Sequence, residues 1–145
     1  GVARIVAAEV DRIQHGKNLA VADLPKVEFR AFGAEAIDAP DAAFDIVLMF
    51  KSLHHVPIDL MDRAFDEIRR VLKPGGLAYI SEPVFEGDFN EVIRLFNDEE
   101  AVRQSAFAAI RRVVENGRFE LVEERFFRTP VRFQSFAQLE HGIIN

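Results

Sequence analysis

The sequence predicts an α/β fold with a doubly wound, mostly parallel sheet, and three observations lead to this class. Short apolar segments rich in β-branched residues alternate with helix-like segments, an order typical of parallel sheets covered by helices on both faces. About half of the 145 residues are apolar (49%), which is enough to bury a core. No repeat, low-complexity tract or linker interrupts the alternation, so we expect a single domain over residues 1–145.

The strands are predicted from short apolar or alternating segments that end at turn residues. The clearest is F-D-I-V-L-M-F at residues 44–50, which has the character of a buried strand. The other predicted strands are residues 3–8, 27–32, 77–81 and 119–127.

The clearest helix is predicted over residues 60–72, because its apolar side chains recur at spacings of three and four and form one stripe. Arg69, Arg70 and Lys73 lie at its end, where cations favour the helix dipole. Pro74-Gly75-Gly76 should then end the helix.

Three further helices are predicted from breakers and caps. A breaker cluster at residues 15–18 leaves room for a short helix over residues 18–22. A long helical stretch covers residues 88–116, with a break near Asn97-Asp98 and a C-terminal cap at Asn116-Gly117. Ser135 is placed to cap a last short helix over residues 136–141.

The composition excludes several classes of partner and chemistry. A formal net charge of -6 without a basic block argues against nucleic acid, which requires clustered Lys and Arg. The chain has no cysteine, which rules out disulfides and thiolate chemistry and suits a reducing, cytoplasmic location. No apolar run approaches the roughly 20 residues that span a bilayer, so we expect no membrane partner.

Polar or small residues follow the predicted strands at the edge where ligands bind in open parallel sheets. Glu9 ends the first strand, and its carboxylate can accept hydrogen bonds from two ribose hydroxyls. Gly33-Ala34-Glu35 follows the second strand, where small residues let a planar ring approach the backbone. Glu82 ends the fourth strand. Taken singly, each is more simply an ordinary turn or a solvated carboxylate.

Two adjacent histidines, His54 and His55, follow the third strand and could exchange a proton near neutral pH. Neighbouring residues point in different directions and no second ligand has the required spacing, so a metal site is not expected. A packing or capping role for at least one of the two is the simpler interpretation. No G-x-S-x-G, P-loop or G-x-G-x-x-G motif occurs.

Three stretches together resemble the class I S-adenosylmethionine-dependent methyltransferases of the small-molecule, ubiquinone or menaquinone methyltransferase-like type. Residues 39–47 are similar to the family's F-P-D-x-S-F-D-x-V run, and residues 53–56 to its L-H-H-V loop. Residues 70–76 match its R-V-L-K-P-G-G turn, the most specific of the three. The similarity covers residues 5–83 well and extends loosely to residue 127. It implies a Rossmann-like fold, S-adenosylmethionine as cofactor and methyl transfer to a small organic acceptor.

The resemblance also implies roles for particular residues. Glu9 matches the acidic ribose ligand, and Val10 matches the residue beside the adenine. Gly33, Ala34 and Glu35 match the loop around the adenine ring, although the family usually has Asp where this chain has Gly33. Phe50 matches the position against the methionine part of the cofactor. The resemblance places His54, His55 and Glu82 on the substrate side. A base is needed only when the acceptor holds its proton, and His54 or His55 could then serve if it reaches the acceptor.

The sequence departs from the family pattern at the N-terminal end of the domain. The family's first strand and glycine loop precede the Glu9 strand by about 20 residues, whereas eight residues precede Glu9 here. The family also usually has one more strand after the position of Asn145. We therefore expect an incomplete domain, an internal piece or a natural remnant, that binds the cofactor weakly or not at all. We also expect its sheet to be completed by direct strand pairing, by strand exchange in a homo-oligomer, or by a partner segment.

Two other functions compete with a methyltransferase. The chain could be a catalytically inactive, methyltransferase-like remnant that acts as a binding or assembly module. It could also be an unrelated α/β nucleotide-binding domain, but the order and spacing of the three matching stretches argue against that alternative.

Overall fold

A computed structural model describes residues 1–140, and these fall into two compact units, residues 1–81 and the segment that begins at Glu82. The first unit contains four strands and two α-helices: β1 (Ile5–Ala8), α1 (Arg12–Leu19), β2 (Val27–Arg30), β3 (Phe44–Phe50), α2 (Met61–Val71) and β4 (Leu72–Ser81). The second unit contains α3 (Asp88–Arg94), α4 (Glu100–Glu115) and α5 (Phe136–Leu139). Strands and helices alternate through the first unit, and the predicted α/β class is confirmed.

All strand pairing in the described residues is parallel, but it forms two separate pairs. β1 pairs with β2, and Ile5 lies opposite Val27. β3 pairs with β4, and Ile46 lies opposite Leu77. Within residues 1–140, no strand connects β1 to β3, so the predicted sheet is present as two two-stranded sheets.

The core of the first unit lies between the β3–β4 pair and α2. The apolar stripe of α2 is buried, as its spacing predicts. Its buried residues are Met61, Ala64, Phe65, Ile68 and Val71. On β3, Met49 is buried on the same side of the sheet.

The opposite face of the β3–β4 pair is exposed, so the prediction of helices on both faces was wrong for this pair. Because strand side chains alternate between faces, Ile46, Leu48 and Phe50 share one face of β3. They are 54%, 57% and 63% exposed, and their β4 neighbours Leu77 and Tyr79 are each 44% exposed. We call these five residues the open apolar face.

The turn between α2 and β4 depends on two glycines. Gly75 has φ = +77°, in the left-handed region that favours glycine. A Cβ on Gly76 would lie 2.9 Å from the Lys73 carbonyl oxygen and 3.1 Å from the Asp45 carbonyl oxygen. The turn also forms a bulge, since Phe44 pairs with Leu72 whereas Ile46 pairs with Leu77. The helix thus ends at Val71, slightly before the predicted Pro-Gly-Gly signal.

Two sequence predictions of elements were wrong. The short helix predicted over residues 18–22 is instead α1, which runs through the supposed breaker cluster. Its start is fixed by Asp11, whose side chain accepts a hydrogen bond from the Gln14 N–H, and one exposed glycine at position 16 does not stop it. No strand forms over residues 119–127, because the described residues offer this segment no partner strand.

The second unit agrees with the remaining predictions. Its long helical stretch breaks between α3 and α4, at the expected Asn97-Asp98 region. Asn116 caps α4 and Gly117 has φ = +73°. The Ser135 side chain accepts from the Gln138 N–H at the start of α5. The predicted end of that helix at His141 lies outside the described residues.

Candidate functional site

The carboxyl ends of β1 and β2 lie side by side, because the two strands are parallel and hydrogen-bonded. Ala8 is opposite Arg30, and the Glu9 N–H donates to the Arg30 carbonyl oxygen at 3.0 Å. Glu9 and the loop that begins after Arg30 therefore leave the sheet at the same edge. This is the arrangement predicted for Glu9 and the Gly33–Glu35 segment.

Glu9 lies in a tight acidic turn and is half-buried. Its Oε1 accepts from the Asp11 N–H at 2.9 Å, which fixes the side chain above the start of α1. Within the described residues, Oε2 has no hydrogen-bond partner. Val10, the next residue, is 67% exposed. The turn thus presents one carboxylate oxygen and one apolar side chain to solvent.

Gly33 begins a turn in which the Ala36 N–H donates to the Gly33 carbonyl oxygen at 3.1 Å. Gly33, Ala34 and Glu35 are all half-buried. The Glu35 carboxylate folds back against Gly33, and a Cβ at position 33 would overlap its oxygens. The Glu35 carboxylate thus occupies the space that the missing side chain of Gly33 leaves.

The loop that follows this turn is held by side chains that the sequence analysis did not select. Arg30 donates to the Asp38 carbonyl oxygen, and Arg70 donates to the carbonyl oxygens of Ile37 and Ala39. Glu67 accepts from the Ile37 N–H. Arg70 lies in the R-V-L-K-P-G-G stretch, and its position in the sequence indicates only a cation near the end of a helix. Nothing in the local pattern indicates a contact with a loop some 30 residues earlier.

Phe50 ends β3 on the open apolar face. Its ring is 5.6 Å from the ring of Tyr79, centroid to centroid, at an interplanar angle of 49°. The following Lys51 has φ = +52°, and its N–H donates to the Ser81 carbonyl oxygen at 2.7 Å. The backbone therefore turns sharply as it leaves β3, and it leaves the Phe50 ring accessible.

His54 and His55 lie in a short 3-10 helix, Leu53–His55, directly after this turn. Their ring centroids are 4.1 Å apart. His54 is 6% exposed, whereas His55 is exposed. The expectation that at least one of them has a packing role fits His54, and His55 is the one whose ring solvent can reach.

The structure brings some of the predicted residues together and leaves others apart. Glu9 and the Gly33 turn share the edge of one strand pair, whereas Phe50 belongs to the other pair. Glu82 comes directly after β4 and is half-buried, but it begins the second unit. A common edge for Glu82 and the other site residues stays a prediction.

Two further observations concern the described residues as a whole. No three His, Asp or Glu side chains in residues 1–140 gather closely enough to hold a metal ion. In the same range, every helix is too short or too polar to cross a bilayer.

Solved structures share the fold of the chain. A protein of Anabaena variabilis, assigned as a methyltransferase from an antibiotic biosynthesis pathway, is 20% identical with a TM-score of 0.58, over 76% of this chain and 45% of that one. The YcgJ protein of Bacillus subtilis is 22% identical with a TM-score of 0.51, over 74% and 52% of the two chains. At these identities the matches support the fold alone.

A third structure, the [4+2]-cyclase SpnF, is 29% identical with a TM-score of 0.49, over 59% of this chain and 32% of that one. The chain thus spans between 32% and 52% of the lengths of these three structures.

The family model described as a methyltransferase domain matches residues 3–80, more than half of the chain. The match includes β1 to β3, all but the last residue of β4, and all three stretches on which the resemblance depends. The resemblance to the class I methyltransferases is confirmed, and the chain belongs to the methyltransferase domain family.

Proposed function

We propose that this chain is the S-adenosylmethionine-binding part of a methyltransferase that acts on a small organic acceptor. One observation carries the proposal: Glu9 and the Gly33–Glu35 turn leave two hydrogen-bonded parallel strands at the same edge. In open parallel sheets this edge is where nucleotide-like ligands bind. The family match supports the assignment of the reaction class.

The residues at this edge fit an adenosyl group. Oε2 of Glu9 is an acceptor for a ribose hydroxyl, since Oε1 already accepts from Asp11. Gly33 has no side chain, so a planar ring can lie against its backbone once the flexible Glu35 carboxylate moves aside. The exposed Val10 side chain supplies an apolar contact for the same ring.

The methionine part of the cofactor is assigned to the end of β3, where the Phe50 ring is 63% exposed. When bound, S-adenosylmethionine would supply an electrophilic methyl group on its sulfonium. The chain's own task is then to position the two reactants and to exclude water. We assign Glu82 to the acceptor side.

His55 is the better candidate for the base, because its ring is exposed and can reach an acceptor outside the fold. An imidazole nitrogen of His55 would accept the proton of an acceptor hydroxyl or amine. The buried His54 packs against it with 4.1 Å between ring centroids and limits the positions that the His55 ring can take. A small organic acceptor is favoured because the chain is acidic and carries no basic block for a nucleic acid.

Titration of the isotope-labelled chain with S-adenosylhomocysteine, followed by NMR, tests the proposal even if binding is weak. We expect shifts of the amides of Val10, Gly33, Ala34 and Glu35. Glu9→Ala should weaken binding by about 1.5–3 kcal/mol, because a charged acceptor is lost. Glu124→Ala, at an exposed acid outside the site, is the control. Unchanged spectra at millimolar ligand would contradict cofactor binding, and equal affinity of Glu9→Ala would remove Glu9 from the site.

The open apolar face favours a second candidate function, that of a binding or assembly module. Five exposed apolar residues on one side of a strand pair are unusual for a surface without a partner. Within the described residues, each strand of the two pairs has one edge without a partner strand, and the backbone groups of that edge can pair with another strand. We propose a second copy of the chain as that partner. A sedimentation experiment that finds only monomers, with every strand amide protected from exchange, would contradict it.

A further inference from the structure

Three consecutive backbone carbonyls of the β2–β3 loop accept hydrogen bonds from two arginines. Arg70 Nη2 donates to the Ile37 oxygen at 2.9 Å, and Arg70 Nη1 donates to the Ala39 oxygen at 2.8 Å. Between them, Arg30 Nη1 donates to the Asp38 oxygen at 2.6 Å. The two cations come from different elements, β2 and α2, and therefore hold the loop from two sides.

Glu67 completes the arrangement. Its Oε2 accepts from the Ile37 N–H at 2.9 Å, while its two oxygens accept from Nε and Nη2 of Arg70 at 2.7 and 2.8 Å. Such a two-point arginine–carboxylate pair has a fixed relative orientation. The Arg70 hydrogen bonds are the main cause that lowers the pKa of Glu67, so the pair stays charged at neutral pH.

The helix that carries Glu67 and Arg70 is held in place by its packing against the core of the first unit. The neighbouring Ile68 and Val71 are both 0% exposed, which fixes the rotation of α2 against the core. The Arg70 backbone also takes part, since its carbonyl oxygen accepts from the Ala42 N–H at 2.9 Å.

The loop has few hydrogen bonds of its own. Between Gly33 and Ala42, two backbone hydrogen bonds lie within the loop: the Ala36 N–H donates to the Gly33 oxygen, and the Ala39 N–H donates to the Ile37 oxygen. Because backbone polar groups need partners, the side chains of Arg30, Glu67 and Arg70 decide the path of this segment. The Gly33–Glu35 turn lies at its start and is separated from Ile37 by one residue, Ala36.

We infer that Arg30, Glu67 and Arg70, here called the loop clamp, are positioning residues for the adenosine part of the cofactor site. The inference rests on the proposed function. The clamp holds residues 37–39, and so sets where the Gly33–Glu35 turn stands relative to Glu9. None of its three side chains needs to touch the cofactor.

The test compares Arg70→Gln with Arg69→Gln in the full chain. Arg69 is the exposed neighbour on the same helix, so its loss removes the same charge but no loop contact. S-adenosylhomocysteine affinity is measured by NMR titration, together with the amide shifts of residues 33–37 without ligand. We expect Arg70→Gln to move these shifts and weaken affinity by about tenfold, the size of effect known for residues that orient the ligands of a bound metal ion. Arg69→Gln should do neither.

Two further variants separate positioning from stability. Ile68→Val destabilises the same helix without touching the loop, and it should leave affinity unchanged at temperatures where the chain is folded. Arg70→Lys keeps the positive charge but loses the planar guanidinium group that makes the two-point hydrogen bonds. Its affinity for S-adenosylhomocysteine should therefore lie between those of Arg70→Gln and the wild type.

Three results would count against the clamp. Equal affinity of Arg70→Gln and wild type would overturn the positioning role alone. An equal loss of affinity in Ile68→Val and Arg70→Gln would reduce the clamp to a stabilising contact. Absence of wild-type binding would contradict the proposed function and the positioning role with it.

Discussion

Two glycines of this chain are expected to respond to alanine in opposite directions. Gly76→Ala should lower the free energy of unfolding by about 1–3 kcal/mol, because the new Cβ would meet two backbone oxygens that cannot easily withdraw. Gly16→Ala should raise it by about 0.5–1 kcal/mol, since nothing lies within 4 Å of that position and alanine favours the helix.

Urea denaturation of the two variants and the wild type measures both effects. A Gly76→Ala protein as stable as the wild type would show that the turn can open to accept a Cβ. The short distances to the two backbone oxygens would then not affect the free energy of unfolding.

The Glu67–Arg70 pair gives stability a dependence on pH. The hydrogen bonds from Arg70, and then that from Ile37, lower the pKa of Glu67 in the folded state. Its contribution is therefore complete above the pKa of the unfolded carboxyl, about 4.3, and is lost as pH falls through the lower, folded value.

Denaturation at pH 6 and at pH 3.5 should show a smaller loss of stability in Glu67→Gln than in the wild type. Asp59→Asn, at an exposed carboxylate just before α2, is the control. Identical acid dependence of Glu67→Gln and wild type would contradict this role of Glu67.

At the scale of elements, α2 should dominate the stability of the first unit. Ile68→Ala should cost about 2–5 kcal/mol, because it leaves a cavity at a fully buried position. Ile58→Ala, at a position that is 52% exposed just before the helix, should change stability by no more than about 0.5 kcal/mol. Thermal unfolding compares the two, and similar losses would contradict the assignment of the core.

How well an element could be predicted depended on where its determinants lie. α2 and β3 carry their pattern within their own residues, and both were predicted closely. α1 has no buried residue, so periodicity could not reveal it, and its start depends on the Asp11 cap. The segment 119–127 alternates like a strand, but a strand needs a partner, and alternation does not supply one.

The candidate site was predictable to a similar extent. The rule that ligands bind at strand ends, together with the family resemblance, selected Glu9 and the Gly33 turn. The loop clamp could not be predicted from the sequence, because Arg70 and Ile37 are separated by 33 positions and come into contact only in the folded chain. The burial of His54 and the exposure of His55 likewise follow from tertiary packing, since the two residues are chemically identical.

At the scale of the whole molecule, the open apolar face predicts self-association. Leu48→Glu places a charge in the middle of that face, at a side chain that is 57% exposed. We expect it to shift the chain toward monomer in sedimentation velocity. Val122→Glu, at a 78% exposed position outside the sheets, should leave the distribution unchanged. Equal sedimentation of wild type and Leu48→Glu would argue against the face as an interface.

The separation of the strands into two pairs has a consequence for cooperativity. The elements β1, α1 and β2 contain no buried residue. In contrast, the apolar stripe of α2 is buried in the core that α2 forms with the β3–β4 pair. Since the two pairs share no ladder within residues 1–140, the first can open while the second stays intact. Glu9, the proposed ribose ligand, would thus belong to the part of the domain that unfolds first, and cofactor binding would be linked to local folding of that part.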